Sequence, residues 1–214
     1  MNKKRVLNKI LNWYILVGVV MLVVATLFIL SPIYPYIWFQ INNDALAKEQ
    51  ANVVTLINNI DEEERSNTAP ETPDLPSFDS SLTSTNTLLI PSIGVVGAIN
   101  ENSIPENGLS KGVWRVSEWG DPINNTNPII LASHRFGYLA WSNSYRKKNS
   151  FENLPKTKVG DTIEIIWEQR RFRYKIYKVE ENTKIADYKA NLILYTCKTL
   201  NSEIRVFRYA MRVE

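Results

Sequence analysis

The sequence predicts an all-β domain, an eight-stranded β-barrel with short helices, preceded by an N-terminal transmembrane helix and a stalk. Three observations lead to this prediction: an uncharged apolar stretch near the N-terminus, a Ser/Thr/Pro-rich segment, and a series of short β-type runs that begins at Thr87. With 44% hydrophobic and 22% charged residues among 214, the composition is that of a globular protein.

The first element is the apolar stretch. No charged residue occurs over residues 10–43, and residues 13–30 are almost wholly apolar. As a helix, those apolar residues extend about 27 Å at ~1.5 Å per residue, enough to cross the hydrocarbon core of a bilayer. We therefore predict a cytoplasmic tail over residues 1–9 and a transmembrane anchor over residues 10–31.

The flanks of the anchor indicate its orientation. Basic residues precede it, namely Lys3, Lys4, Arg5 and Lys9. Aromatic residues follow it, namely Tyr34, Tyr36, Trp38 and Phe39. This pattern predicts a single-pass protein of the cell membrane with a cytoplasmic N-terminus and an extracellular remainder. A cleaved signal peptide is the alternative, but the small-residue pattern Ala45-Leu46-Ala47 lies far beyond the apolar stretch, which favours a retained anchor.

Two connecting segments come next. Residues 32–65 are predicted to be a juxtamembrane segment and a polar stalk helix, because the apolar residues of its second half recur near helical spacing. Residues 66–86 contain three prolines among many Ser and Thr residues. Since that composition buries no core, we predict an extended linker.

Residues 87–214 form the predicted β domain. Short runs of β-type residues separated by turn residues predict strands at 88–90, 95–99, 112–116, 129–132, 162–167, 172–179, 192–195 and 204–213. Eight strands in this length favour a closed barrel. A short helix is expected within residues 142–153.

The candidate chemistry rests on the only histidine and the only cysteine of the chain. His134 closes the apolar run 128–134, and Cys197 closes the run 192–197. A strand end holds a side chain in a fixed place and leaves it open to solvent, as a nucleophile and its proton partner require. Arg205 follows eight residues later and adds a permanent cation. A thiol, an imidazole and a guanidinium suffice for acyl transfer through a thioester.

Strand alternation predicts which side chains share a face. Tyr195 and Cys197 point to one side of their strand, and Arg205 and Phe207 share a side of the last strand. If these strands are neighbours, Arg205 leans toward the thiol. Arg208, three residues further on, points to the opposite face and is the second choice for the active-site arginine.

In order and context, these residues resemble the sortases, membrane-anchored cysteine transpeptidases of bacterial surfaces. The segments that carry the resemblance are Ala132-Ser133-His134-Arg135, Leu194-Tyr195-Thr196-Cys197, Arg205-Val206-Phe207, Ile90-Pro91-Ser92-Ile93-Gly94 and Val159-Gly160-Asp161. The resemblance covers residues 87–214 and implies a sortase-type barrel as the catalytic domain. The chain departs from the family pattern in the short stretch between Cys197 and Arg205 and in the second basic residue, Arg208.

The resemblance implies a two-step reaction on secreted proteins with a C-terminal sorting signal of the Leu-Pro-x-Thr-Gly type. Cys197 attacks the Thr-Gly carbonyl, His134 protonates the departing amine, and Arg205 stabilises the oxyanion or fixes the substrate backbone. An amine from a peptidoglycan precursor or a pilin lysine then resolves the acyl-enzyme. In this family, residues 180–191 are expected to contact the sorting signal.

Other functions remain open at this point. The chain is alternatively a membrane-tethered, non-catalytic β-barrel that binds a wall polymer or a partner protein, with a buried cysteine, a satisfied histidine and a surface arginine. The aromatic residues of segment 136–145 wall a peptide groove, form a lid or pack in the core.

Several other classes fit the sequence poorly. A papain-like enzyme places its cysteine ahead of its histidine, which is the reverse of the order here, and the Ser-His-Gly-Cys cluster of L,D-transpeptidases is missing. One histidine and one cysteine so widely spaced argue against a metal site, and we predict no cofactor. No acidic cluster suggests calcium binding, and no nucleic-acid module is recognisable.

Overall fold

A computed structural model of the chain describes residues 3–31, 33, 34, 37, 74–124, 127–199 and 202–213. Its first element is helix α1, Lys3–Leu30. The part from Lys9 to Leu30 is long and apolar enough to cross a membrane, which fits the predicted anchor. The predicted stalk helix lies outside the described residues, and the predicted segment boundaries remain predictions.

The eight predicted strands are all present, and they close into the predicted barrel. They are β1 Thr87–Ile90, β2 Val95–Glu101, β3 Val113–Arg115, β4 Ile129–Ala132, β5 Thr162–Trp167, β6 Arg170–Asn182, β7 Leu192–Cys197 and β8 Arg205–Arg212. Their order around the barrel is β1-β2-β3-β4-β7-β8-β6-β5. The pairs β2–β3 and β4–β7 are parallel, and the other pairs are antiparallel.

The barrel interior is apolar because alternate residues of each strand point inward. In β7, Leu192 and Leu194 face this interior. The wall across the barrel contributes side chains that are also inaccessible to solvent, among them Leu88, Ile90, Ile163, Ile165 and Phe172.

A second apolar layer covers the outer face of β4, β7 and β8. Its floor consists of Ile130, Ala132, Ile193, Tyr195, Phe207 and Tyr209. Leu109, Trp119 and Ile185 pack over this floor from other elements, and each is at most 5% exposed. These strands are therefore buried on both faces, which explains why all six residues of β7 are buried.

Strand β6 lies between β5 and β8 and pairs with both. Its first half pairs with β5 and its second half with β8, and the register shifts between Ile176 and Lys178. A β-bulge of this kind bends a strand and increases its twist, which helps a sheet to close.

Two short α-helices lie between strands. Helix α2, Pro105–Leu109, precedes β3, and helix α3, Asn143–Asn149, follows β4. The sequence predicted α3, whose first turn is capped by Ser142 Oγ, which accepts a hydrogen bond from the Tyr145 amide at 3.2 Å. It did not predict α2, because five residues are too few to show helical periodicity.

Residues 74–86, the described part of the predicted linker, are hydrogen-bonded to the barrel. Arg212 Nη2 donates to the Asp74 carbonyl at 2.6 Å, and Gln169 Nε2 donates to the Leu82 carbonyl at 3.1 Å. The Asp79 amide donates to the Gln169 carbonyl at 2.9 Å. The chain thus approaches β1 along the turn between β5 and β6.

Gly108 allows α2 to lie directly on the outer layer. A Cβ atom at this position would lie 2.1 Å from Trp114 Cδ1, and Trp114 is only 3% exposed. We predict that Gly108→Ala lowers the free energy of unfolding by about 1–3 kcal/mol, because the indole has no room to move. Urea unfolding of the full chain in detergent micelles measures this loss.

Asn107→Ala is the control, since Asn107 is an exposed neighbour on the same helix. Its unfolding free energy should stay within about 0.5 kcal/mol of wild type. Equal unfolding free energies for the two variants would contradict the close packing of α2 on Trp114.

Candidate active site

Two of the three candidate residues are brought together by the pairing of β7 with β8. Cys197, the last residue of β7, lies directly opposite Arg205, the first residue of β8. Residues directly opposite each other in an antiparallel pair project to the same face of the sheet. The two strands are therefore neighbours, which the sequence left open, and Arg205 shares a face with the thiol.

His134 arrives at the same place from β4. Strand β4 runs parallel to β7, and Ala132 lies beside Tyr195. One residue further along the chain in each case, Thr196 Oγ1 donates a hydrogen bond to the Ser133 carbonyl at 2.8 Å. His134 is the next residue of the chain. His134, Cys197 and Arg205 consequently line one cleft, together with Leu109, Ala132, Ser133, Tyr195 and Thr196.

The cleft is more enclosed than a strand end suggests. The exposed fractions of His134, Cys197 and Arg205 are 4%, 5% and 1%, so the expectation that these side chains are open to solvent is wrong. Leu109, at the end of α2, belongs to the apolar layer on the outer face of these strands and lines the cleft, which narrows it. The remaining space holds about one water molecule, so the cleft in this conformation is too small for a peptide.

Arg205 is oriented by the backbone that precedes β8. Its Nη1 donates to the Ser202 carbonyl, and its Nε is buried and has no hydrogen-bond partner among the described residues. A buried N–H group without a partner costs free energy. The guanidinium therefore holds a donor that a ligand oxygen in the cleft would satisfy.

Arg208 lies on the opposite face of β8. Its Nε donates to Thr157 Oγ1 at 2.6 Å, and its Nη1 donates to the Phe207 carbonyl at 2.8 Å. Burial lowers the pKa of the Arg208 guanidinium from its ordinary value, although the charges of Glu181 and Asp161 act in the opposite direction. Arg208 thus lies away from Cys197 and bonds to groups of the fold. Arg205 is the arginine that lines the cleft.

The loop after His134 adds a contact that the sequence did not assign. The hydroxyl oxygen of Tyr138 lies 3.2 Å from His134 Nε2, and the two rings meet edge to face at 5.2 Å. Trp141 and Tyr145 continue this row of aromatic rings. In the sequence, the aromatic residues of segment 136–145 indicated that this segment is of interest. Their spacing left open whether they wall a groove, form a lid or pack in the core.

The outer face of β7, in the part of the strand that precedes Cys197, is covered by two loops. Trp119 of the β3–β4 loop stacks on Tyr188 of the β6–β7 loop, with ring centroids 5.5 Å apart. Arg115 Nη1 holds the first loop by donating to the carbonyls of Trp119 and Gly120 at 3.0 and 3.1 Å. The second loop contains residues 180–191, and its Ile185 packs on the same apolar floor.

The site offers thiol, imidazole and guanidinium groups rather than a metal-binding set. Within the ranges that the structure describes, no three His, Cys, Asp or Glu side chains form a group that could hold a metal ion.

Comparisons with known proteins identify relatives of this fold. The family model described as Sortase domain matches residues 88–213. A pilus-related sortase C of Group B Streptococcus has a TM-score of 0.51 and 17% identity, over 80% of this chain and 91% of its own. Sortase C1 from Streptococcus agalactiae has a TM-score of 0.50 and 18% identity, over 73% of this chain and 78% of its own. No curated protein sequence matches the chain.

Leu109 is predicted to limit access to the cleft. Leu109→Ala removes an apolar side chain that lines and narrows the cleft, so a small alkylating reagent should label Cys197 several-fold faster than in wild type. Because the chain has one cysteine, the mass of the intact protein reports this site alone. Unfolding measured in parallel distinguishes local access from a loss of stability.

Leu139→Ala serves as the control, because Leu139 is 47% exposed on the loop after His134. Its labelling rate should equal that of wild type. An unchanged rate in Leu109→Ala would show that another element closes the cleft.

Proposed function

Since the chain belongs to the sortase family, we propose that it is a cysteine transpeptidase that joins secreted proteins to an amine acceptor on the cell surface. One observation carries this proposal: His134, Cys197 and Arg205 line the same cleft at the ends of neighbouring strands. These are the nucleophile, the proton donor and the charge stabiliser that acyl transfer requires.

In the first step, the Cys197 thiolate attacks the Thr-Gly carbonyl of a Leu-Pro-x-Thr-Gly type sorting signal. A C–S bond forms, the C–N bond breaks, and the departing glycine amine takes a proton from His134. The product is a thioester between Cys197 and the threonine of the secreted protein.

In the second step, an amine from a peptidoglycan precursor or a pilin lysine attacks the thioester. A new C–N bond forms, the C–S bond breaks, and the proton lost by the incoming amine returns to His134. The cycle therefore restores both side chains and requires no cofactor.

Arg205 stabilises the oxyanion of the tetrahedral intermediates or fixes the substrate backbone. Its buried Nε is a donor without a partner among the described residues, and its Nη1 is anchored to the Ser202 carbonyl. A donor that is held in place before the reaction pays no reorganisation cost when negative charge develops.

The apolar helix α1 supports a reaction at the cell surface. The basic residues before α1 and the aromatic residues after it favour a cytoplasmic N-terminus and an extracellular catalytic domain. Secreted proteins that carry sorting signals and the amines of the wall meet the enzyme on that side of the membrane.

Trapping of the acyl-enzyme tests the proposed reaction. Full-length protein incubated with a library of sorting peptides should gain the mass of the N-terminal peptide fragment on Cys197, and an added amine should release it. Cys197→Ala should show neither the mass shift nor turnover. Turnover that persists in Cys197→Ala would refute a thioester at Cys197. No acyl-enzyme with any signal and amine would favour the non-catalytic binding barrel instead.

Two arginine variants test the role of Arg205. Arg205→Met should lower kcat/KM for the sorting peptide by about 10²–10³-fold, because it removes the charged donor from the cleft. Arg208→Met is the matched control, since it makes the same change on the opposite face of β8 and should lower kcat/KM less than about tenfold per folded molecule. Equal losses in the two variants would contradict the assignment.

A further inference from the structure

The loop that follows His134 holds the side chain of Tyr138 against the imidazole. Tyr138 Oη lies 3.2 Å from His134 Nε2, and the planes of the two rings are inclined by 87°. Edge-to-face packing and the hydrogen bond act on the same ring, so together they define both its position and its rotation.

Arg146 is buried and binds backbone carbonyls of this loop. Its Nη2 donates to the carbonyls of Tyr138 and Trp141 at 2.9 and 3.2 Å, and its Nε donates to the Phe136 carbonyl at 3.1 Å. Its Nη1 donates to Asn143 Oδ1 at 2.9 Å. Arg146 is only 6% exposed, although it lies on the short surface helix α3.

This arrangement depends on the shape of the guanidinium group. Three backbone carbonyls are held by donors that point in fixed directions from one planar group. A lysine ammonium keeps the charge but cannot reproduce this fork. The three carbonyls belong to the residues around Tyr138, so Arg146 fixes the backbone from which the tyrosine projects.

Gly137 restricts the backbone conformation of the loop. Its φ is +69°, a conformation that glycine adopts without strain, and a Cβ atom would lie 2.5 Å from Trp141 Cε3. Trp141 in turn packs on both Tyr138 and Tyr145. At the far end of the row, the Tyr145 hydroxyl donates to the Lys111 carbonyl at 2.8 Å, a contact separate from that of Tyr138 with His134.

A tyrosine hydroxyl suits a histidine that changes its protonation state. It donates to Nε2 when that nitrogen is unprotonated and accepts from Nε2–H when it is protonated. A carboxylate at the same position would favour the imidazolium alone. Tyr138 therefore keeps its contact with Nε2 in either protonation state of that nitrogen, and the orientation of the imidazole is held throughout.

We propose that Tyr138 and Arg146 are positioning residues for His134: Tyr138 engages Nε2 and fixes the orientation of the imidazole, and Arg146 holds Tyr138 in place. This inference rests on the proposed function, in which His134 transfers the proton. It adds two residues outside the set of His134, Cys197 and Arg205 on which that function was argued.

The ring nitrogens of His134 provide a readout that is independent of activity. The chain has one histidine, so ¹⁵N-histidine labelling of the full-length protein in micelles gives one pair of ring signals. In wild type, the two nitrogens should be clearly inequivalent at a pH where the ring is neutral, with one dominant tautomer. Tyr138→Phe and Arg146→Lys should both move the signals toward those of a free imidazole.

Tyr145→Phe is the matched control, because it removes a hydroxyl from the same aromatic row while the ring next to His134 keeps its own. Its ring-nitrogen signals should equal those of wild type. Signals in Tyr138→Phe that also equal those of wild type would overturn the proposal. If Arg146→Lys does not fold, Tyr138→Phe alone decides, since it removes a single oxygen atom.

Kinetics with a sorting peptide give the second readout. Tyr138→Phe should lower kcat by about ten- to a hundredfold with KM nearly unchanged, because proton transfer rather than peptide binding is affected. Wild-type kcat in Tyr138→Phe would overturn the positioning role while leaving the proposed function intact. If wild type turns over no signal, the proposed function fails, and the nitrogen spectra still decide whether Tyr138 holds His134.

Discussion

The position of β7 between β4 and β8 is the constraint on which the rest of the site depends. Backbone hydrogen bonds fix the register of β7 against both neighbours, parallel on one side and antiparallel on the other. The C-terminal ends of β4 and β7 and the start of β8 therefore lie side by side, which brings His134, Cys197 and Arg205 to one cleft. A slip of β8 by one residue would turn Arg205 into the barrel interior, because successive side chains alternate between faces.

The same alternation gives the arginines of β8 different environments. Arg205 belongs to the outer face and the cleft. Arg208 binds Thr157, and Arg212 lies over the Phe172 ring at 4.8 Å and binds the Asp74 carbonyl. One residue type thus serves as a candidate charge stabiliser on one face and as a structural donor on the other.

Arginine side chains also hold the loops around the site by donating to backbone carbonyls. Arg115 binds the loop that contains Trp119, Arg146 binds the loop that contains Tyr138, and Arg205 binds the Ser202 carbonyl. A guanidinium group holds several carbonyls at defined angles, which gives an irregular loop one conformation without a regular hydrogen-bond ladder. The barrel supplies rigid strand ends, and these arginines shape the loops that cover them.

The sequence by itself determined the eight strands, the apolar N-terminal helix, the faces of β7 and β8, and the choice of His134, Cys197 and Arg205. These features follow from local patterns: alternation with a period of two, long apolar runs, and rare residues at strand ends. The tertiary structure alone decided that Leu109 lines the cleft, that Cys197 lies opposite Arg205, and that Tyr138 meets His134. Those outcomes depend on strand pairing between residues distant in the chain and on the conformation of irregular loops, which no periodic pattern encodes.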